Sequence, residues 1–258
     1  VAESSGICLF VPVYNVGGRI RDVLERIPPE ALGQLTSILI IDNGSTDGTW
    51  EELSSFARER GDRRLRTFRN ERNYTLGGST IVALRTAISE GNRFLICLHS
   101  DGQADPADLP RFIASCRPDV DFVLGSRLMS GSQVDEYSRL RLAANRVFSW
   151  IQRKITGVSA RDLGAYIAFN LHTIARLPYA RVPSDMAYQP NLILLAFARG
   201  HRRVVEFPIR WGAADRSNVN LLAYGLRHLE RLLRHALRVP PLTRARAEDF
   251  RSTEVAWR

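Results

Sequence analysis

No run of roughly 18–20 consecutive apolar residues occurs in this 258-residue chain, so no segment reads as a membrane-spanning helix. The opening stretch VAESSGICLFVPVYN has no basic leader and no cleavage site, and no signal peptide is expected there. Cysteine is scarce. Cys8, Cys97 and Cys116 lie far apart, which excludes a disulfide framework and zinc-ligand spacing; Cys8 and Cys97 sit in apolar runs, as small buried thiols of a reducing compartment do. Lysine is almost missing: of 36 Lys and Arg residues only Lys154 is lysine, so arginine carries the net charge of +9. Such an excess suits nucleic acid, anionic lipid or phosphorylated substrates, and equally a solvated basic surface. No nucleic-acid module accompanies it, so nucleic acid is not an expected partner. Internal repeats and low-complexity segments are also absent. With 45% hydrophobic and 24% charged residues, the chain can build one large core, or one core plus an appendage.

What is present is an alternation. ICLFVPV reads as a buried strand and GGRIRDVLERI as a helix stopped by Pro28-Pro29; SILIID is a second strand, followed by the helix STDGTWEELSSFARER with cap-competent residues at its start. LRTFRN is a short strand, LGGSTIVALRTAISEG a helix closed by Gly91, RFLICLH a strand, DPADLPRFIASC helical and DFVLGS another strand. Strand–helix alternation with short connections predicts an α/β fold, a mostly parallel sheet with helices on both faces. Ligands of such sheets bind beyond the carboxyl ends of the strands. The polar signals fall there: YN, DNGSTD, HSDGQ and SR each follow a strand. Past residue 135 the alternation weakens. YSRLRLAANRVFSWIQRKITG reads as a long helix, AYQPNLILLAFARG as another and RRVVEFPIRW as a strand.

HSDGQADP looks like the end of a buried strand that hands oxygen ligands, Asp101 and Gln103, to a cation, with His99 where a second acidic residue often stands. IDNGSTDGT has two readings. It is an Asx-rich turn leading into a capped helix, or a place where Asp42 accepts hydrogen bonds from a nucleoside while glycines permit close approach.

VPVYN, IDNGSTDGT, NYTLGGSTIVALRTAISEGNRF, HSDGQADP and VLGSR occur in an order that resembles family 2 glycosyltransferases of the GT-A fold, and within them the dolichyl- and polyprenyl-phosphate sugar synthases. The resemblance is strong over roughly residues 7–130 and loose over 135–220. It implies that Pro12, Tyr14 and Asn15 sit against a nucleoside, with Val16 where an acidic residue usually follows. Asp42 would contact the nucleoside, beside Asn43 in place of a second Asp. Asn73 and Gly77 would let the backbone approach the donor, and Ser100 stands among the donor contacts. Asp101 and Gln103 would hold a divalent metal, Mg²⁺ or Mn²⁺, with the donor diphosphate completing its shell. Mn²⁺ tolerates imidazole better, which admits His99 as a ligand; the more ordinary role for His99 is a hydrogen bond to ribose or a neighbouring carboxylate. Arg127 and Arg141 would contact phosphates, and with Asp101 they form the implied catalytic set. In RWGAADRSNVN the resemblance places Arg210, Arg216 and Ser217 over the phosphates, with Asn218 where relatives have lysine.

These features divide the chain into a GT-A domain at 1–212 and a basic amphipathic helical segment at 213–258. In the latter Leu222, Leu226, Leu229, Leu233 and Leu237 form one stripe and Arg227, Arg231, Arg234 and Arg238 another. The stripes suit an interfacial helix on anionic lipid, or a helix docked on its own domain or a second subunit. The expected location is cytoplasmic, with a peripheral contact to membrane on the first reading, and the oligomeric state stays open. Three functions fit. The leading one is inverting transfer of a sugar from a UDP- or GDP-sugar to a polyprenyl phosphate. The others are glycosylation of a hydroxyl on a soluble acceptor, and nucleotide-sugar binding without catalysis.

Overall fold

The computed structural model describes residues 6–135 and 139–212, then Glu230, Leu232 and Arg234, then 243–255; of Arg139, Leu140 and Arg141 the backbone alone is described. In chain order the elements are β1 (Ile7–Val13), α1 (Arg19–Glu25), α2 (Pro29–Leu32), β2 (Ser37–Asp42), α3 (Thr49–Arg60), β3 (Leu65–Asn70), α4 (Thr75–Ser89), β4 (Phe94–Cys97), α5 (Leu109–Ser115) and β5 (Phe122–Ser126). They continue as β6 (Gln133–Val134), α6 (Arg139–Thr156), β7 (Tyr166–Asn170), α7 (Leu171–Ala175), α8 (Tyr188–Ala198), β8 (Val204–Pro208), β9 (Arg210–Trp211) and β10 (Ser252–Val255).

Eight strands form one sheet in the order β10-β3-β2-β1-β4-β7-β5-β8, while β6 and β9 pair separately. The runs β3-β2-β1-β4 and β5-β8 are parallel, as the alternation predicts. Both faces of these strands are covered, so β1, β2, β4 and β5 are almost uniformly buried and read as continuous apolar runs. One apolar cluster packs α4 and α8 on one face, and a second packs α1, α3 and α5 on the other. The three thiols are free and buried within these layers, and burial pushes each up to about 12.

Three features depart from simple alternation. β7 runs antiparallel between β4 and β5, starting at the edge where the parallel strands end, so the residues just before it are delivered to that edge. The strand expected over RRVVEFPIRW breaks at Ile209: β8 stays in the main sheet and β9 leaves it to pair with β6. The end of the C-terminal segment is not helical: β10 adds antiparallel to β3, and Phe250 beside it packs edge-on against Tyr74 at 5.6 Å. The leucine stripe of 222–237 lies outside the described residues. Leu232, next to it in sequence, is fully buried in the larger cluster. No helix among the described residues is long and apolar enough to cross a membrane.

Candidate active site

At the carboxyl edge the loops after β1 and β2 are stitched together. Asn15 adopts φ +50°, a left-handed conformation that Asn tolerates; its Oδ1 accepts from Thr46 N (2.9 Å) and its own N–H donates to Ser45 Oγ (3.0 Å). Thr49 Oγ1 accepts from the Val16 and Gly17 N–H groups. Asp42 is fully buried, accepts from Ser45 N (3.1 Å) and pairs with Arg69 Nε at 3.3 Å. In this loop the Asp42 carboxylate makes an Asx-type turn and shapes the chain that follows β2. Asn43 donates to Asn73 Oδ1 (2.8 Å) and accepts from Asn70 Nδ2 and Tyr74 N, so Asn43 and Asn73 brace each other across β2 and α4. Gly77 faces protein: a Cβ there would stand 2.4 Å from the Ser184 carbonyl carbon, so its missing side chain admits that backbone. Pro12 is half-buried and Tyr14 exposed, at the rim.

Ser100 joins β1 to β4 by donating to the Pro12 carbonyl at 2.6 Å. Beyond it the chain turns at Gly102, with φ +78°, so that Asp101 and Gln103 lie side by side. Asp101 Oδ1 accepts from Gln103 N at 3.0 Å. The Gln103 amide lies between Asp101 Oδ2, at 3.1 Å, and the Trp211 indole Nε1, at 3.3 Å; with its nitrogen toward Asp101 it donates to the carboxylate and accepts from the indole.

His99 is held by a backbone carbonyl and an aromatic edge. Its Nε2 lies 2.8 Å from the Ala165 carbonyl, an acceptor that requires the proton on that nitrogen, and its ring meets Trp211 edge-on at 5.8 Å. The Nε2 partner is thus a backbone carbonyl, and no carboxylate bonds this ring among the described residues. Among the described residues no group of three His, Cys, Asp or Glu side chains could hold a metal.

Arg127, just past β5, is gripped by Asp162, which precedes β7. Nε and Nη2 donate to the two carboxylate oxygens at 2.8 and 2.9 Å, and the Arg127 N–H donates as well. Burial alone would raise the Asp162 pKa; the Arg127 charge and hydrogen bonds outweigh it and hold the carboxyl below its usual range. The Arg127 guanidinium also lies over the Trp211 ring at 4.9 Å. Trp211 is nearly fully buried and touches His99, Gln103 and Arg127 together. Sequence reasoning passed over it; a tryptophan ending a polar-flanked strand was the available signal. Successive side chains of a strand face opposite sides, and Arg210, the neighbour of Trp211, pairs with Asp105 (3.2 Å) and Asp108 (3.9 Å). The Arg141 side chain and residues Arg216 and Ser217 lie outside the described structure.

The family model described as glycosyl transferase family 2 matches residues 8–175, from β1 through α7. The chain belongs to glycosyl transferase family 2. It is a glycosyltransferase, and its sheet is that of the family's GT-A fold. Undecaprenyl-phosphate mannosyltransferase of Micrococcus luteus is 26% identical over 212 residues, 79% of this chain and 82% of that protein. Polyprenol monophosphomannose synthase of Mycolicibacterium smegmatis is 26% identical over 203 residues, covering 78% and 75%. Among solved structures, glucosyl-3-phosphoglycerate synthase from Mycobacterium tuberculosis, in complex with Mn²⁺, UDP-glucose and glycerol 3-phosphate, superposes with a TM-score of 0.62 at 17% identity, covering 92% of this chain and 81% of that one. At that identity the likeness is one of fold.

Proposed function

We propose that this chain transfers a sugar from a nucleoside-diphosphate sugar to a polyprenyl phosphate, with inversion and with a divalent cation at Asp101 and Gln103. The observation that carries the reading is the pairing of an oxygen-rich turn with a fixed arginine. Two oxygens bound at right angles to one Mg²⁺ lie about 2.9 Å apart, and the Gln103 amide stands 3.1 Å from Asp101 Oδ2. One carboxylate and one amide oxygen therefore fit a cation whose remaining ligands are donor phosphates and water. When bound, the cation would offset the charge of the departing diphosphate.

The acceptor assignment follows from chemistry and from the names of the two relatives above. A phosphate monoester, with its second pKa near 6, is largely a dianion at pH 7 and can attack the anomeric carbon as the bond to the donor diphosphate breaks. No general base is needed. Asp162, the most buried carboxylate beside Arg127, is held ionised with a lowered pKa, which suits orienting an arginine and not accepting a proton near neutrality. Arg127 would then face phosphate oxygens from a fixed plane. The aromatic rim at Tyr14 and the loops clasped by Asn15 and Asp42 would receive the nucleoside. A lipid acceptor and a net charge of +9 support a peripheral place at an anionic membrane surface.

The test is a donor and acceptor screen: UDP- and GDP-sugars with Mg²⁺ or Mn²⁺, offered a short polyprenyl phosphate or the corresponding polyprenol. Nucleoside diphosphate should be released with the phosphate and not with the alcohol, and Asp101→Ala should abolish transfer and weaken donor binding. Equal turnover with the alcohol or a soluble sugar would move the reading to hydroxyl acceptors.

A further inference from the structure

The Gln103 amide fills the same space in either of two orientations, and Trp211 favours one of them. With the nitrogen toward Asp101, the amide donates to Oδ2 at 3.1 Å and accepts from the indole N–H at 3.3 Å. Turned over, its oxygen confronts a carboxylate oxygen across the same gap and its NH₂ confronts the indole N–H, with only the Gly212 carbonyl, 3.5 Å away, to donate to. Two facing oxygens are favourable only with a cation between them. The indole N–H is a donor and never an acceptor, so it opposes that turn. It cannot swing aside, because its ring lies under Arg127 and against His99, and its backbone bridges to Ala104.

We propose that Trp211 is a positioning residue that holds the Gln103 amide oxygen away from the cation position, so that metal binds poorly alone and well only with a nucleoside diphosphate. The inference rests on the divalent-metal reading above and adds an order of binding to it. In the resting site the amide nitrogen satisfies Asp101. Cation binding requires the amide to turn, with loss of its bond from the indole. Diphosphate oxygens on the same cation offset that loss, so metal and nucleotide bind together.

The sign of the expected effect is what separates this from a merely structural role. Trp211→Phe keeps a ring face for Arg127 and removes the N–H. In an electron paramagnetic resonance titration of free Mn²⁺ with the full chain, Trp211→Phe should bind Mn²⁺ about three- to tenfold tighter than wild type without nucleotide, the worth of one neutral hydrogen bond. The gain should shrink with UDP or GDP present. In a Gln103→Glu background both ends of the side chain are oxygen, so Trp211→Phe should add nothing. Wild-type binding with no gain in Trp211→Phe overturns the role of Trp211 and leaves the metal reading standing. Failure of every variant, wild type included, to bind Mn²⁺ even with nucleotide overturns both. A second measurement needs no altered packing. In wild-type protein with ¹⁵N-labelled tryptophan, Mg²⁺ plus UDP or GDP should shift the Trp211 indole N–H and speed its exchange with solvent, and an unchanged resonance would count against the proposal.

Discussion

Arg127 and Asp162 carry the most demanding electrostatics of the site, and neither can be exchanged without cost. Asp162 is buried and Arg127 partly so, and two parallel hydrogen bonds join them, so the pair's value lies in geometry as much as in charge. Lysine at 127 would keep the charge but could neither span both carboxylate oxygens nor stack flat on Trp211. Arg127→Lys should lower stability by roughly 2 kcal/mol in chemical denaturation, and turnover should fall well beyond what unfolding explains. The pH dependence has a definite sign. Asp162 is depressed in the folded state, so its contribution is fully present above the ordinary carboxylate value near 3.9 and is lost as pH falls through the lower folded value. Denaturation midpoints between about pH 5 and pH 2 should therefore drop more steeply in wild type than in Asp162→Asn. Several residues singled out by pattern proved to brace the site: Asn15, Asn43 and Ser100 each spend hydrogen bonds on neighbouring loops.

Two strands decide what reaches the carboxyl edge, and a third closes the side of the sheet. Because β7 is antiparallel it begins at the site and brings Asp162 and Ala165 to it; a parallel strand there would have ended at the site and presented Asn170 instead. β9, by leaving the main sheet after Ile209, carries Trp211 to Ala104 and Gln103. β10 covers the open side of β3, where an unpaired edge would otherwise face solvent. It is pinned by Phe250 against Tyr74 and by Arg66, which bonds Glu254. Phe250→Ala removes a nearly buried ring and should cost about 3 kcal/mol, read as a lower midpoint in urea. Donor binding at saturating nucleotide should persist below that midpoint. A variant as stable as wild type would mean that the tail contributes little to the fold.

The whole chain carries an arginine-borne charge of +9, and the acceptor proposed above, a lipid phosphate, would reside at membranes. Residues 213–258 alone hold nine arginines against five acidic residues. Basic groups near an anionic surface contribute on the order of 1 kcal/mol each, weakened by salt. The protein should therefore pellet with anionic vesicles at low salt, release partly at high salt and ignore neutral vesicles. Truncation is a poor control, since it would remove β10 and Phe250 together with the charges. Reversing Arg227, Arg231, Arg234 and Arg238 is better: Arg234 is exposed and, among the described residues, pairs locally with Glu230 at 2.9 Å. Vesicle binding unchanged by those reversals would place the lipid contact elsewhere, and its absence at low salt would favour a soluble acceptor.

Local pattern was enough for the parallel strands and the helices between them, though not for β7, β9 or β10. Continuous runs of β-branched and aromatic residues, broken at Gly and Pro, specify strands buried on both faces, and five motifs in order identify the family from residues that are neighbours in sequence. The same locality explains where Asp101, Gln103 and Arg127 stand, since Arg127 directly follows β5 and the other two lie in the turn that follows β4, strands whose ends are set by their own apolar runs. The partners of those residues lie far off in the chain. Asp162 is 35 residues from Arg127, and the Gly212 carbonyl that the Gln103 amide can reach is 109 residues away. Strand direction and register bring them together, and these follow from how layers pack and not from the periodicity of any one segment. Motif spacing could therefore propose a metal turn and an arginine. Only the packed sheet could give Arg127 its carboxylate, His99 its carbonyl, Arg210 its pair of aspartates and Gln103 its indole, because a hydrogen bond depends on atoms within about 3 Å, however far apart they lie along the chain.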